Sequence, residues 1–236
     1  MVNSKWIREA LVFYDGDNQA RWLDAIGNNV VKFELETGTP CDDTTGLPTR
    51  FVTTLVNAST CVNAALAAEK LLITTAAAEY DSVCLTLRGE AFALTAGCPA
   101  YFGARIKSSR ADAELTLGLM ETLTAYHAAA ANTIVAAAVD GVCFRCDESS
   151  AVAAASYENN VLSASAVAVA ALAITAHIYE IYWDGTYVNF YYDGTLVTST
   201  AVALTAGALT PVLQFRAGTG NASVCTVSWM RAIQIN

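Results

Sequence analysis

An all-β fold, a soluble antiparallel β-sandwich, is what this chain predicts, and three observations carry it. Residues 177–200 (HIYEIYWDGTYVNFYYDGTLVTST) read as three short strands joined by two Asp-Gly turns, Asp184-Gly185 and Asp193-Gly194. Asp-Gly suits the type I′ hairpin, whose two central residues need positive φ. After Phe51, short segments alternating between apolar and polar residues recur between polar turns, the pattern of a sandwich or barrel. At 54% hydrophobic residues the chain has material for a sizeable core, although alanine supplies much of it.

Residues 1–50 differ from the rest. They carry charges, Trp6, Tyr14 and Trp22, and the turn-rich stretches DGDN (15–18) and GTPCDDTTGLP (38–48). They read as an irregular arm or a few isolated strands, and residues 51–236 as the sandwich. Propensity favours a short helix over 62–71, whereas the alanine-rich 125–139 reads as a loop and strand edge. Strand alternation places Val83, Leu85 and Leu87 on one face, and likewise Phe102, Ala104 and Ile106, then Leu115, Leu117 and Leu119, then Leu213 and Phe215. It also puts Cys225, Val227, Trp229, Ile233 and Ile235 on one face of the last strand.

Two-residue turns would fix the register of the meander. Tyr179 then faces Phe190 and Val197, and Ile181 faces Val188, as an apolar face. Glu180, Asn189 and Thr198 form a polar row on the other face, which also carries Ile178–Tyr191–Leu196 and the pair Tyr182–Tyr187. These are either ordinary cross-strand partners or a contact surface for a partner or a sugar.

Charge narrows the function classes. A net charge of −9, with four scattered lysines, argues against nucleic-acid binding. The N-terminus shows no signal-peptide pattern, so the sequons at Asn57 and Asn221 read as chance matches and the seven cysteines as free thiols. Residues 161–178 are uncharged but shorter than the ~20 apolar residues of a spanning helix, and read as a strand plus a connection. Cys143 and Cys146 have CxxC spacing, but on a strand their sulfurs point to opposite faces, so no metal site is expected. No pair of acids stands in a glycosidase-like array, and neither a nucleophile elbow nor a phosphate loop occurs. His127 lies in an alanine tract and His177 opens the meander. No catalytic residue and no cofactor are expected.

The segments AYFGARIKSS, ELTLGLMET, DGVCFRCDES, YEIYWDGTYVNFYYDGTLV and TVSWMRAIQI resemble the concanavalin A-like lectin/glucanase (laminin-G-like) sandwich across about 51–236. The opening ALVFYDGDNQARWLDAIGNNVVKFE and CDDTTGLPTRFV further resemble tailed-bacteriophage structural proteins that carry this sandwich. The resemblance implies a two-sheet jelly roll whose C-terminal strand pairs near the N-terminal part. It carries over no catalytic residue, since the glucanase acid cluster has no match. It also implies a non-enzymatic virion protein, a capsid decoration on the outer shell, assembled in the host cytoplasm as a homo-oligomer on the major capsid protein or other virion proteins, with no membrane partner. Trp6, Tyr14 and Trp22 are then candidate anchors. The alternative is a carbohydrate-binding module attaching to host glycans through Ile178, Tyr182, Tyr187, Tyr191 and Leu196.

Overall fold

The computed structural model describes residues 2–7, 9–15, 22–35, 47–63, 71–127, 140–148, 151–158, 161–162, 167–172, 174–202, 208–218 and 220–236. In chain order these form β1 (Val2–Ile7), β2 (Ala10–Asp15), β3 (Trp22–Ile26), β4 (Val30–Leu35), β5 (Phe51–Leu55), β6 (Thr60–Asn63), β7 (Leu71–Thr74), β8 (Ser82–Leu87), β9 (Ala100–Ser108) and β10 (Glu114–Met120). There follow β11 (Gly141–Cys146), β12 (Ala151–Glu158), β13 (Val161–Leu162), β14 (Val167–Ala171), β15 (His177–Trp183), β16 (Tyr187–Tyr192), β17 (Thr195–Ala201), β18 (Thr210–Arg216) and β19 (Val224–Ile235). All the paired strands are antiparallel, and no helix occurs among the described residues.

Two eight-stranded sheets face each other. One runs β13-β12-β11-β10-β18-β8-β5, with β14 also on β12; the other runs β17-β16-β15-β9-β19-β7-β6, with β4 also on β19. Between them lie the rows read from the sequence: Val83 and Leu85, Phe102, Ala104 and Ile106, Leu115, Leu117 and Leu119, Leu213 and Phe215. Leu87 packs against them from a half-buried position. Phe144 of one sheet meets Tyr179 and Phe190 of the other edge-on, at 5.2 and 5.4 Å between ring centroids. The C-terminal half of β19 pairs with β4, which is the N-terminal contact the resemblance implies.

Several elements differ from the sequence reading. Residues 30–35 belong to the sandwich, which therefore starts before Phe51. Of the two readings of the N-terminal part, an irregular arm or a few isolated strands, strands are what form, but β1, β2 and β3 pair into a three-stranded sheet. Its inner face, Ala10, Val12, Trp22 and Ala25, packs on Tyr101, Ile233 and Ile235 on the outer face of the β9 sheet. Val62 lies in β6 and Leu71 opens β7; 64–70 lie outside the described residues, as do 128–139 and the Gly16–Asn18 part of the DGDN turn. In the 161–178 run, β13 and β14 are strands.

The last strand does not keep one face. Cys225 and Val227 point into the core, but so do Met230 and Ala232, while Ile233 and Ile235 face the N-terminal sheet. The cause is a bulge between Val227 and Trp229: Val227 pairs with Ile106 and Trp229 with Arg105, leaving Ser228 without an opposite residue. One extra residue moves every later side chain to the other face.

Candidate functional site

The outer face of the β9 sheet is the most elaborated surface of the molecule. Its meander is clamped at both turns. Asp193 and Gly194 have φ of 48° and 77°, the two positive values of the expected type I′ turn. Asp193 also holds the start of β15: its Oδ1 accepts from the Ile178 amide at 2.9 Å, and its Oδ2 lies 2.6 Å from His177 Nδ1. At the first turn the loop is Gly185-Thr186, not Asp184-Gly185. Asp184 and Tyr187 flank it, with the Asp184 amide donating to the Tyr187 carbonyl at 3.2 Å. Only Gly185, at φ 104°, needs the left-handed region, and the Asp184 carboxylate accepts from the Thr186 and Tyr187 amides at 2.8 Å each.

That turn shifts the register by two residues, so Ile181 opposes Phe190 and Tyr182 opposes Asn189. A shift of two preserves the faces, which is why Tyr179, Ile181, Val188 and Phe190 are all buried as expected. The polar row is not preserved. Glu180 opposes Tyr191, and a bulge after Phe190 sets Thr198 opposite Phe190 and removes Val197 from that place.

One half of this outer face is covered by the three-stranded sheet. There Trp22 meets Tyr182 edge-on at 5.5 Å. Beside it the Tyr101 hydroxyl donates to Glu180 Oε1 at 2.8 Å, which gives one oxygen of a carboxylate only 1% exposed a partner. Gly103 makes this reach possible: a Cβ there would lie 2.3 Å from the Tyr101 hydroxyl. The Arg231 guanidinium lies over the Tyr101 and Trp229 rings, at 5.7 and 5.0 Å. The other half is open. β16 presents Tyr187, Asn189 and Tyr191 outward at two-residue spacing, and Leu196 stands opposite Tyr191. Tyr187 is 47% and Leu196 51% exposed.

The outer face of the other sheet carries a charged network. Arg216 and Glu114, opposite one another on β18 and β10, form a fully buried ion pair: Nε to Oε2 is 2.6 Å, and Nη2 donates to Oε1 at 3.2 Å. His127 Nδ1 lies 3.2 Å from Glu114 Oε2, and its Nε2 shares a hydrogen bond with Thr116 Oγ1 at 3.0 Å. Gln214 Oε1 accepts from the Tyr126 and His127 amides, pinning this loop onto the sheet. Burial pushes the Glu114 carboxyl up to about 7 against the pull of Arg216. Burial, then the Arg216 charge, pushes His127 down to about 3, so the ring is neutral at physiological pH. Sequence reasoning missed this group because its members are 13 to 102 positions apart. The only signal was a glutamate and an arginine, each standing alone among apolar neighbours in a strand.

No protein-family model matches the chain, and no curated protein matches it in sequence. Solved structures do match. The Emp47p carbohydrate recognition domain superposes with a TM-score of 0.59 at 11% identity, over 85% of this chain and 94% of that one. Peanut lectin gives 0.59 at 11%, over 87% and 97%. The fold is that of the concanavalin A-like lectins. A Crh5 transglycosylase in complex with NAG also matches, at 0.56 and 12% identity over 86% and 83%, so this lectin fold carries enzymes as well as binding domains.

On this lectin-like frame the candidate residues separate. Tyr187, Tyr191, Leu196 and Ile178 share the open part of the meander face, all at least partly exposed. Tyr182 opposes Asn189 rather than Tyr187 and is partly covered by Trp22. Trp22 is fully buried, so it fastens the N-terminal sheet to the sandwich instead of reaching outward. Tyr14 is half-buried, with Lys5 Nζ 5.2 Å from its ring. Trp6 is 69% exposed on the far side of that sheet. Cys143 and Cys146 do diverge: one faces the outer cluster with Tyr126, the other the main core.

Proposed function

We propose that the protein is a carbohydrate-binding module whose contact surface is the open meander face. The observation that carries this is the outward series Tyr187, Asn189, Tyr191 on β16. Aromatic rings flank an amide on a backbone paired on both sides and clamped at both turns. Rings offer apolar area for sugar faces and amides offer paired donors and acceptors, on a surface rigid enough to lose little entropy on binding. The likeness to carbohydrate recognition domains supports the reading. Screening the purified chain on a glycan array tests it. Reproducible binding is expected, weakened about fivefold by Tyr187→Ala, the effect of roughly 1 kcal/mol for one aromatic contact. Binding that ignores Tyr187→Ala would remove the meander from the site.

A second reading, capsid decoration on a virion, draws on Trp6, Leu11 and Ile26. These oppose one another across β1, β2 and β3 on the outer face of the N-terminal sheet, with Trp6 and Ile26 more than half exposed. Such an apolar row suits a protein partner. Trp6→Ala with Ile26→Asp should then release the protein from particles, and retention of the double variant would rule this row out as the anchor.

A further inference from the structure

We infer that the open face takes an anionic saccharide, one carrying carboxylate or sulfate groups, with Arg105 as its charge-reading residue. This rests on the glycan-binding reading above and names the class of sugar.

Four outward positions extend the Tyr191 surface across the sheet. Ile178 of β15 opposes Arg105 of β9, and Arg105 opposes Trp229 of β19. Tyr191 opposes Glu180 and so lies diagonally beside Ile178; three strand spacings of about 4.8 Å put the two ends of this band, Tyr191 and Trp229, roughly 14 Å apart across the strands. Lys107 stands two residues beyond Arg105 on the same face and is exposed. The Ser228 bulge builds the far end. It turns Trp229 outward to pair with Arg105, and Ser228 Oγ accepts from Arg105 Nη1 at 2.9 Å, which orients the guanidinium. Trp229 is held in turn by the Arg231 stack, and a cavity of about 180 Å³ opens beside the two of them.

The charge pattern selects the ligand. The protein as a whole is acidic at −9, so a cationic site on it is a local device and not part of a general basic surface. The carboxylates near the band are engaged elsewhere: Glu180 with Tyr101, Glu34 with Lys32 at 3.2 Å, Asp193 with His177. Among the described residues, the hydrogen bond of Arg105 is the one to Ser228, and no carboxylate pairs with it. A half-buried guanidinium with free donors, set beside an indole ring, suits a planar anion attached to a ring that can stack.

Titration calorimetry on the full chain tests this with three probes: oligogalacturonate, its methyl ester, and a dextran sulfate oligomer. Either charged probe should bind about tenfold or more tighter than the neutral ester, the effect of a charge-assisted hydrogen bond. Arg105→Gln should remove most of that preference while leaving neutral binding nearly unchanged, and Tyr187→Ala should weaken both classes alike. Lys107→Gln, at an exposed position with no fold role, should cost a few-fold for charged probes only, so the test survives if Arg105→Gln alters the bulge. Equal affinity for charged and neutral probes, with Tyr187→Ala still weakening both, overturns the anionic assignment and leaves the glycan reading standing. A preference that persists in both charge variants overturns it too. If no probe of either kind binds, the anionic assignment is overturned together with the glycan reading as far as these sugars test it.

Discussion

Replacing Arg216 by methionine tests the buried network most directly. Methionine keeps most of the apolar stem and removes the guanidinium, so the loss has two parts. The first is independent of pH: the hydrogen bonds to Glu114 and the stacking over Tyr80, 4.3 Å away, together about 1–2 kcal/mol. The second depends on pH. In the native protein the Glu114 carboxyl titrates at about 7, raised from 4.5. Stability from this group is complete below the unfolded value and falls by about 1.36 kcal/mol per pH unit until the folded value is passed, where it levels off. Without Arg216, burial holds the proton well above 7 and the decline continues. Two pH units beyond 7 add about 2.7 kcal/mol. The variant should therefore be about 1–2 kcal/mol less stable than the parent at pH 6 and about 4–5 at pH 9. With a urea slope of about 2–3 kcal/mol/M, the midpoints should differ by about 0.5 M and then by about 2 M. Tryptophan fluorescence in urea at the two pH values measures this. A gap of equal size at pH 6 and pH 9 would refute the reasoning, because Arg216 would then not be what lets Glu114 ionise. Glu114→Gln combined with Arg216→Met should show no such widening.

Two further outcomes follow from the same physics. His127 titrates at about 3 in the folded protein against 6.5 unfolded, so the unfolded chain binds the extra proton between those values and stability falls as the pH drops. The advantage of the parent over His127→Gln should narrow by about 2.5 kcal/mol between pH 6 and pH 4 in urea titrations, and a constant advantage would contradict a neutral buried ring. Deleting Ser228 should leave the faces of β19 unchanged, because Val227 and Trp229 already oppose the adjacent residues Ile106 and Arg105 and would become neighbours in a regular ladder. It should therefore cost little more than Ser228→Ala, which keeps the bulge and loses one hydrogen bond of about 1 kcal/mol. Urea midpoints of the two variants measure this, and a deletion variant that no longer unfolds cooperatively would contradict the reading of Ser228 as the extra residue.

The meander shows how far a local pattern reaches. Its two-residue turns and alternation were legible, and the buried set Tyr179, Ile181, Val188 and Phe190 followed, because side-chain parity survives a register error of two. The exact partners were not legible. Asp184 caps the first turn with its own carboxylate and moves the loop on to Gly185-Thr186, a choice between neighbouring turns of similar energy. Trp6, Tyr14 and Trp22 looked alike as aromatic residues in a charged segment. Only the packing of the N-terminal sheet made Trp22 a core residue and left Trp6 outside.

By itself the sequence determined the all-β class, the core strands β8 to β11 and β15 to β19, the divergence of Cys143 from Cys146 and the outward direction of Tyr187 and Tyr191. All of these depend on period-two geometry within single strands. Tertiary structure alone decided the register and the bulge at Ser228. It also set which half of the outer face the N-terminal sheet covers, and it gathered Glu114, His127 and Arg216. Those outcomes depend on which distant strands become neighbours, and that is fixed by burial summed over the whole sandwich, which no local window of residues contains.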